Sequence, residues 1–352
     1  MRSKRNKHIA IFIAFILCML QISIAFTASA ADIDAIYDAY GGGYAAAGQI
    51  SGVGYTTEIY DASNGLPTSD AMFLLSASDG HMWIGGYSGV ICYDGSAFER
   101  MDTSGGLTSA RGFFEDSQGR IWVGTNDNGV VVIDGNETVH LTYKDGLPSS
   151  SIRTFAEDTN GNIFIGTTTG ICYADTSLQL HDISGTVFAE ERVLRLDADV
   201  SGRIFGHTSS GIIFAIDDCI ITEFYQSEEL EMKKITTIMA DPLQEGNTYI
   251  GTEDSCVYYG QFGNTAKQME HISIPELNGG VHWLSYDCNR VWVSSVNTAG
   301  YLEENHQFHM LDNLPMDSGL EMTTSDYQGN LWVASSTQGV MKIVTNNFVD
   351  IT

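Results

Sequence analysis

The chain has 352 residues, with 17 Lys plus Arg against 44 Asp plus Glu, a formal net charge of −27, and 43 % hydrophobic residues. A surface this anionic repels phosphate backbones and acidic lipid, which excludes nucleic acid and membrane-surface adsorption as the chain's business.

Residues 1–30 read as a secretory signal. Arg2, Lys4, Arg5 and Lys7 form a basic head, Ile9 to Leu20 an unbroken apolar run, and Ala28-Ser29-Ala30 a small-residue cleavage motif before Ala31. Gln21 and Ser23 interrupt the apolar stretch, which argues against a retained anchor. All four basic residues of this segment leave with it and no acidic ones do, so the mature chain carries 13 basic against 44 acidic residues, a net of about −31. The expected location is extracytoplasmic: secreted, periplasmic or on the outer face of the cytoplasmic membrane. Membrane attachment would come through an uncleaved signal or a span beyond residue 352. Residues 31–56, rich in Ala, Gly and Tyr, read as a flexible leader.

Beyond the signal, Cys92, Cys172, Cys219, Cys256 and Cys288 form an odd set without CxxC or metal-type spacing. No disulfide and no metal site is expected from them, and Cys92 and Cys172 read as small buried apolar residues on strands.

From residue 57 one pattern governs the chain. Trp83, Trp122, Phe164, Phe205, Tyr249, Trp292 and Trp332 recur at intervals of 39, 42, 41, 44, 43 and 40 residues. A period in this range marks a stacked or circular repeat. Three residues before each stands Gly80, Gly119, Gly161, Gly202, Gly246, Asn289 or Gly329, residue types that accept the positive φ of a tight hairpin. Asp116, Asp158, Asp199 and Asp326 open the same turn, where a carboxylate can accept bonds from the turn's N–H groups; Asp241 and Asp287 are displaced, and Ala77 is the one absence. In the third repeat Ser151 to Glu157, Asn162 to Thr167, Ile171 to Ala174 and Leu178 to Asp182 read as four successive strands. Four short strands per unit of about forty residues make the blade of a β-propeller. The expected fold is therefore all-β: a seven-bladed propeller of four-stranded antiparallel blades over residues 57–352. The outer-strand-like segment at residues 57–60 is surplus to the first unit, and it is expected to complete the seventh blade and close the ring. The last such segment, Phe348 to Thr352, reads as the start of something that continues.

The segments EDSQGRIWVGTNDNGV from Glu115 and KDGLPSSSIRTFAEDTNGNIFIGTTTGI from Lys144 resemble the two-component regulator propeller repeat. That repeat is found in extracytoplasmic sensor regions of bacterial hybrid histidine kinases and of some diguanylate cyclases. The resemblance is strong in units one to three and seven. It weakens in four to six, where Phe205 precedes Gly206-His207 and Trp292 precedes Val293-Ser294. It implies an input module that binds a ligand or partner outside the cell and passes the event to a signalling output domain or partner protein.

Propeller ligands commonly sit over the central channel, on loops that a rigid ring gathers about one axis. Five residues before each hairpin Asp, or before Ala77, stand Met72, Arg111, Arg153, Leu194, Thr236, His282 and Glu321, which should form one ring near the channel mouth. Arg111 and Arg153, in adjacent blades, could hold a carboxylate or sulfate by paired hydrogen bonds, unless Glu115, Glu157 or another carboxylate already neutralises them. His282 and Trp283 offer an imidazole and a platform for a sugar ring, with blade packing as the plainer account. His207 replaces a small residue and suggests a local pocket. Glu321 and Asp70 lie near the same mouth, but in so acidic a chain some such pair is expected by chance.

The ligand sites expected are thus Arg111, Arg153, His282, Trp283, Glu321 and His207, with no catalytic residue, no cofactor and no metal. The expected ligand is a small molecule, an acidic saccharide being one candidate. No HExxH, nucleophile elbow or P-loop occurs. The leading reading is a non-catalytic sensor. The alternatives are a carbohydrate-active propeller enzyme, lyase or glycosidase, and a protein-binding scaffold.

Overall fold

Alternation of short apolar runs with Asp- and Gly-bearing turns leaves the backbone one economical solution, hairpin upon hairpin. The computed structural model describes residues 54–346 apart from 278 and 313. The signal, most of the leader and the segment Phe348 to Thr352 lie outside the described residues. Residues 57–344 form one compact unit, the propeller described below.

Seven four-stranded sheets are present, each running in chain order from an inner to an outer strand except the last. Blade three comprises Ile152–Glu157, Ile163–Thr167, Ile171–Ala174 and Leu180–Asp182, paired antiparallel in succession, within two residues of the expected bounds. Blade seven takes its three inner strands from Leu320–Ser325, Leu331–Ser335 and Gly339–Asn346, and its outer strand from Gly54–Tyr60. The N-terminal outer strand thus closes the ring. Tyr60 seals the joint: its ring stacks on Trp332 of blade seven at 6.1 Å and meets Phe98 of blade one at 5.0 Å.

The repeating aromatics lie between blades, none more than 7 % exposed. Trp122 packs with Ile152, Phe155 and Ile163 of the following blade, Phe164 with Val193 and Leu196, and Trp332 with Leu74 and Ile84 of blade one. The glycine two residues on follows from this packing. A Cβ at Gly124 would stand 2.6 Å from Ile152 of the next inner strand, closer than atoms approach.

At the hairpins, all seven positive-φ positions are realised, from +58° at Asn289 to +90° at Gly80. The hairpin aspartates do more than cap a turn. Asp116 accepts from the backbone N–H of Gln118 and Arg120, from Arg120 Nε at 2.6 Å and from Trp122 Nε1 at 2.7 Å. Asp326 serves Trp332 in the same way at 2.9 Å. Where the aromatic is Phe and has no N–H, the second oxygen turns elsewhere: Asp158 to Asn162 Nδ2, Asp199 to the Gly246 N–H of the next blade. In blade one Ala77 replaces the aspartate, and Trp83 Nε1 is buried without a partner.

Carboxylates at the ends of inner strands latch blades together. Glu115 accepts from the backbone N–H and hydroxyl of Ser78 in blade one, and Glu157 from those of Ser117 in blade two. Asp287 holds Ser325 of blade seven likewise at 2.9 Å.

Candidate ligand-binding site at the channel mouth

Five of the seven inner strands start with an irregularity at the same place. The pairing ladder skips between Ala110 and Gly112, Ile152 and Thr154, Val193 and Arg195, Ile235 and Thr237, and Leu320 and Met322. The residues left out are Arg111, Arg153, Leu194, Thr236 and Glu321. Met72 and His282 hold the corresponding positions, each donating its N–H to the carbonyl of the neighbouring strand. A bulged residue leaves the ladder and its side chain is re-aimed, so five of the seven positions expected to form a ring share one local geometry.

A second recurrent bond draws the loop between the second and third strands to the same end. The N–H of Asn126, Thr168, Ser209, Glu253 and Ser336 donates to the carbonyl of Ser109, Ser151, Arg192, Lys234 and Gly319, each two residues before the bulge. Blade four therefore places Arg192 at the mouth, and blade five places Lys234 there. Asp70 stands at the matching position of blade one, where one oxygen accepts from Ser88 N–H at 3.2 Å and the other has no partner.

The arginines are not neutralised. Glu115 and Glu157 are spent on Ser78 and Ser117 at the far ends of their strands, about 13 Å from Arg111 and Arg153 at the usual rise per residue. Among the described residues no carboxylate reaches ion-pairing distance of Arg111, Arg153, Arg192 or Lys234. Arg111 instead lies 4.2 Å above the ring of Tyr87, bonds the Tyr87 hydroxyl through Nη2 and approaches Met72 Sδ at 3.0 Å, while its Nε is buried without a partner. Arg153 donates weakly to Asn126 Oδ1 at 3.3 Å and to the Ile152 carbonyl at 3.1 Å. Burial, followed by the charges of Arg111 and Arg192, pushes its guanidinium down to about 10. Like charge without a counter-ion is the state of a site waiting for an anion.

On the opposite arc, His282 Nε2 lies 3.2 Å from Glu321 Oε2. Trp283 is adjacent, but it does not present a free platform. Arg195 of blade four lies 4.1 Å over its ring, a contact that skips blade five and so runs across the channel. Arg195 also donates to Thr237 Oγ1 at 3.3 Å and stands 3.7 Å from Asp197. Burial works against both charges of that pair, lowering the pKa of one and raising that of the other. Trp283 Nε1 finds no acceptor.

His207 is 2 % exposed and lies beneath the rim, paired across the ladder with Arg195. The expected local pocket is instead filled by the imidazole itself. Gly206 and His207 exchange the sizes found in other blades: the ring of Phe214 occupies the space above Gly206, and the imidazole points where elsewhere only a small residue fits. Neither ring nitrogen makes a well-formed hydrogen bond. Burial first, then Arg195, pushes its pKa down to about 3, against a weak opposing pull from the Thr236 backbone, so it is neutral.

Structure thus brings Arg111, Arg153, Arg192 and Tyr87 together, pairs His282 with Glu321, and sets Arg195 over Trp283 and beside His207. Residues 105–127 and 146–169 match the family model described as two component regulator propeller. The chain carries repeats of the two component regulator propeller family. No curated protein matches the sequence. Among solved structures, a streptogramin B lyase is similar with a TM-score of 0.68 at 15 % identity, covering 83 % of this chain and 98 % of that one. The virginiamycin B lyase of Staphylococcus aureus, in an inactive variant with quinupristin, gives 0.65 at 12 %, covering 82 % and 99 %. The extracellular domain of a putative hybrid two component system from B. thetaiotaomicron gives 0.66 at 16 %, covering 82 % of this chain but 42 % of that one. At these identities the likeness is one of fold.

Proposed function

We propose that this propeller is the extracytoplasmic input module of a bacterial signal-transduction receptor, binding a small anionic ligand at its channel mouth without catalysing a reaction. One observation carries the ligand: in a chain of net charge −27, Arg153 feels the charges of Arg111 and Arg192, and among the described residues no carboxylate lies at ion-pairing distance of the three. The propeller repeats support the sensor role, as does the likeness to an extracellular domain of a hybrid two component system. The event would pass to an output domain or partner protein.

Thermal shift and calorimetric titration with sulfate and a panel of acidic saccharides test this reading. Replacing Arg111 and Arg153 together with Ala should weaken binding at least tenfold, the loss of two charge-assisted contacts at about 1.5 kcal/mol or more in sum, with the melting temperature nearly unchanged. Unaltered affinity in that variant removes the site.

A second reading, a propeller lyase, is favoured by one feature, the His282–Glu321 pair at 3.2 Å, since a carboxylate that orients an imidazole is the arrangement of a general base. Product analysis on the same saccharide panel separates the two: turnover lost in His282→Ala supports the lyase, and saturable binding without turnover supports the sensor.

A further inference from the structure

We propose that the channel mouth receives a dianionic group, a phosphate monoester being the class that fits, held by Arg111, Arg153 and Arg192. This rests on the reading of the mouth as an anion site and narrows it.

Charge balance is the first argument. Three guanidinium groups from three consecutive blades share this arc without a counter-ion, and Arg111 and Arg153 are half-buried. A carboxylate or a sulfate ester brings one negative charge and leaves two cations uncompensated. A phosphate monoester brings two charges and three terminal oxygens, one for each planar fork. Burial first, then repulsion from Arg111 and Arg192, lowers the Arg153 pKa, and the repulsive part is relieved in proportion to the charge that arrives. Lys234, next around the mouth and also unpaired, adds to the same field.

The flanks supply the second argument. Tyr87, whose hydroxyl accepts from Arg111, is 62 % exposed, and Leu194, at the bulge beyond Arg192, is 39 % exposed. Apolar surface on either side of a cationic arc is wasted on inorganic phosphate and suits an ester with an aromatic or aliphatic substituent. Among the described residues no carboxylate on this face lies at ion-pairing distance of the three arginines, Glu253 on the blade-five loop included. Asp70 accepts from Ser88 N–H, Asp127 from the Thr108 hydroxyl, Glu191 from the Ser210 hydroxyl, and Glu321 faces His282. A nucleic-acid backbone, with one charge per phosphodiester and a repelling body of −27 around the site, is the poorer match.

Calorimetric titration of the whole chain with phenyl phosphate, phenyl sulfate and benzoate, at pH 8 and pH 5 in about 0.1 M salt, tests the proposal, because the three probes share a ring and differ in charge. At pH 8 phenyl phosphate should bind about tenfold or more tightly than either monoanion. At pH 5 a phosphate monoester, with its second pKa near 6, becomes a monoanion, and its advantage should vanish. Phenyl sulfate keeps one charge at both pH values and so reports what the protein's own groups at the mouth, His282, Glu321, Asp70, Asp127, Glu191 and Glu253, contribute. Arg192→Ala, at an exposed position, should weaken phenyl phosphate more than either monoanion and so narrow the preference, which does not vanish because Arg111 and Arg153 still balance a dianion. Equal affinities at pH 8, or a preference as large in Arg192→Ala as in the unaltered chain, would overturn the assignment of a dianion to these three arginines and leave the anion site standing. If none of the three binds, both fall.

Discussion

Asp116→Ala should rank among the costliest single substitutions in the propeller. Its carboxylate is fully buried and accepts four hydrogen bonds, two from backbone N–H groups of the turn, one from Arg120 Nε and one from Trp122 Nε1. The Gln118 N–H lies at the exposed tip of the hairpin, so its loss adds little, while the Arg120 N–H is buried and its loss falls within the cost at Arg120. The Arg120 side chain, 9 % exposed, is different: alanine leaves a buried guanidinium without an anion. Removing one partner of a buried pair costs about 3–5 kcal/mol, and the orphaned indole N–H lies within that figure because the effects share one site. At about 2 °C per kcal/mol for a unit of this size, the melting temperature should fall by about 6–10 °C. Urea unfolding followed by both circular dichroism and tryptophan fluorescence gives the midpoint and slope that convert to this difference. Blade one supplies the converse, since Ala77 already lacks the carboxylate and Trp83 Nε1 is already unpaired. Ala77→Asp should therefore stabilise by about 1 kcal/mol, and Trp83→Phe should cost less than Trp122→Phe. A loss below about 1 kcal/mol in Asp116→Ala, or equal costs for the two Trp→Phe variants, would refute the assignment of these aspartates as hubs of the blade.

His207 makes the fold acid-sensitive. Its folded pKa, pushed down to about 3, lies below the ordinary 6.5, so between those values the unfolded chain binds one more proton and stability falls as pH falls. At about 1.4 kcal/mol per pH unit, lowering the pH from 7 to 5 should cost wild type about 2 kcal/mol more than His207→Gln, which cannot titrate there; identical urea midpoint shifts in the two proteins would exclude the effect. Tyr60→Ala removes the ring that joins the closing strand to Trp332 and Phe98, and should cost about 3 kcal/mol, read as a lower urea midpoint. An unchanged midpoint would mean that the closing strand contributes nothing to the ring.

Blade number, hairpins and ring closure were legible because each depends on residues close in sequence and repeated seven times: an aromatic, a positive-φ turn residue and an aspartate. The bulge ring was legible too, by counting from the hairpin. Arg192 and Lys234 went unread, although a count two residues further back reaches both in register with Asp70. Tyr87 was missed because it belongs to the loop between second and third strands, which in blade one is tied to the inner-strand end by the Ser88 N–H donating to the Asp70 side chain. What no local reading could reach was the fate of Glu115 and Glu157. Each lies four residues from an arginine in the chain, yet its partner is a serine of the preceding blade, because an extended strand separates its two ends while packing joins its sides. The exchange of sizes at Gly206 and His207 was visible as a departure from pattern. That it buries the imidazole rather than opening a pocket depends on Phe214, a neighbour only in the folded sheet.

Bulging has a consequence for how such a scaffold changes over generations. A side chain excluded from the ladder takes no part in holding its sheet, and the acids that clasp one sheet to the next sit at the far ends of the inner strands. The five bulged seats around the axis can thus be refilled one at a time, arginine for leucine or glutamate for threonine, with little tax on folding, so that the taste of the mouth can drift while the wheel beneath it keeps its shape.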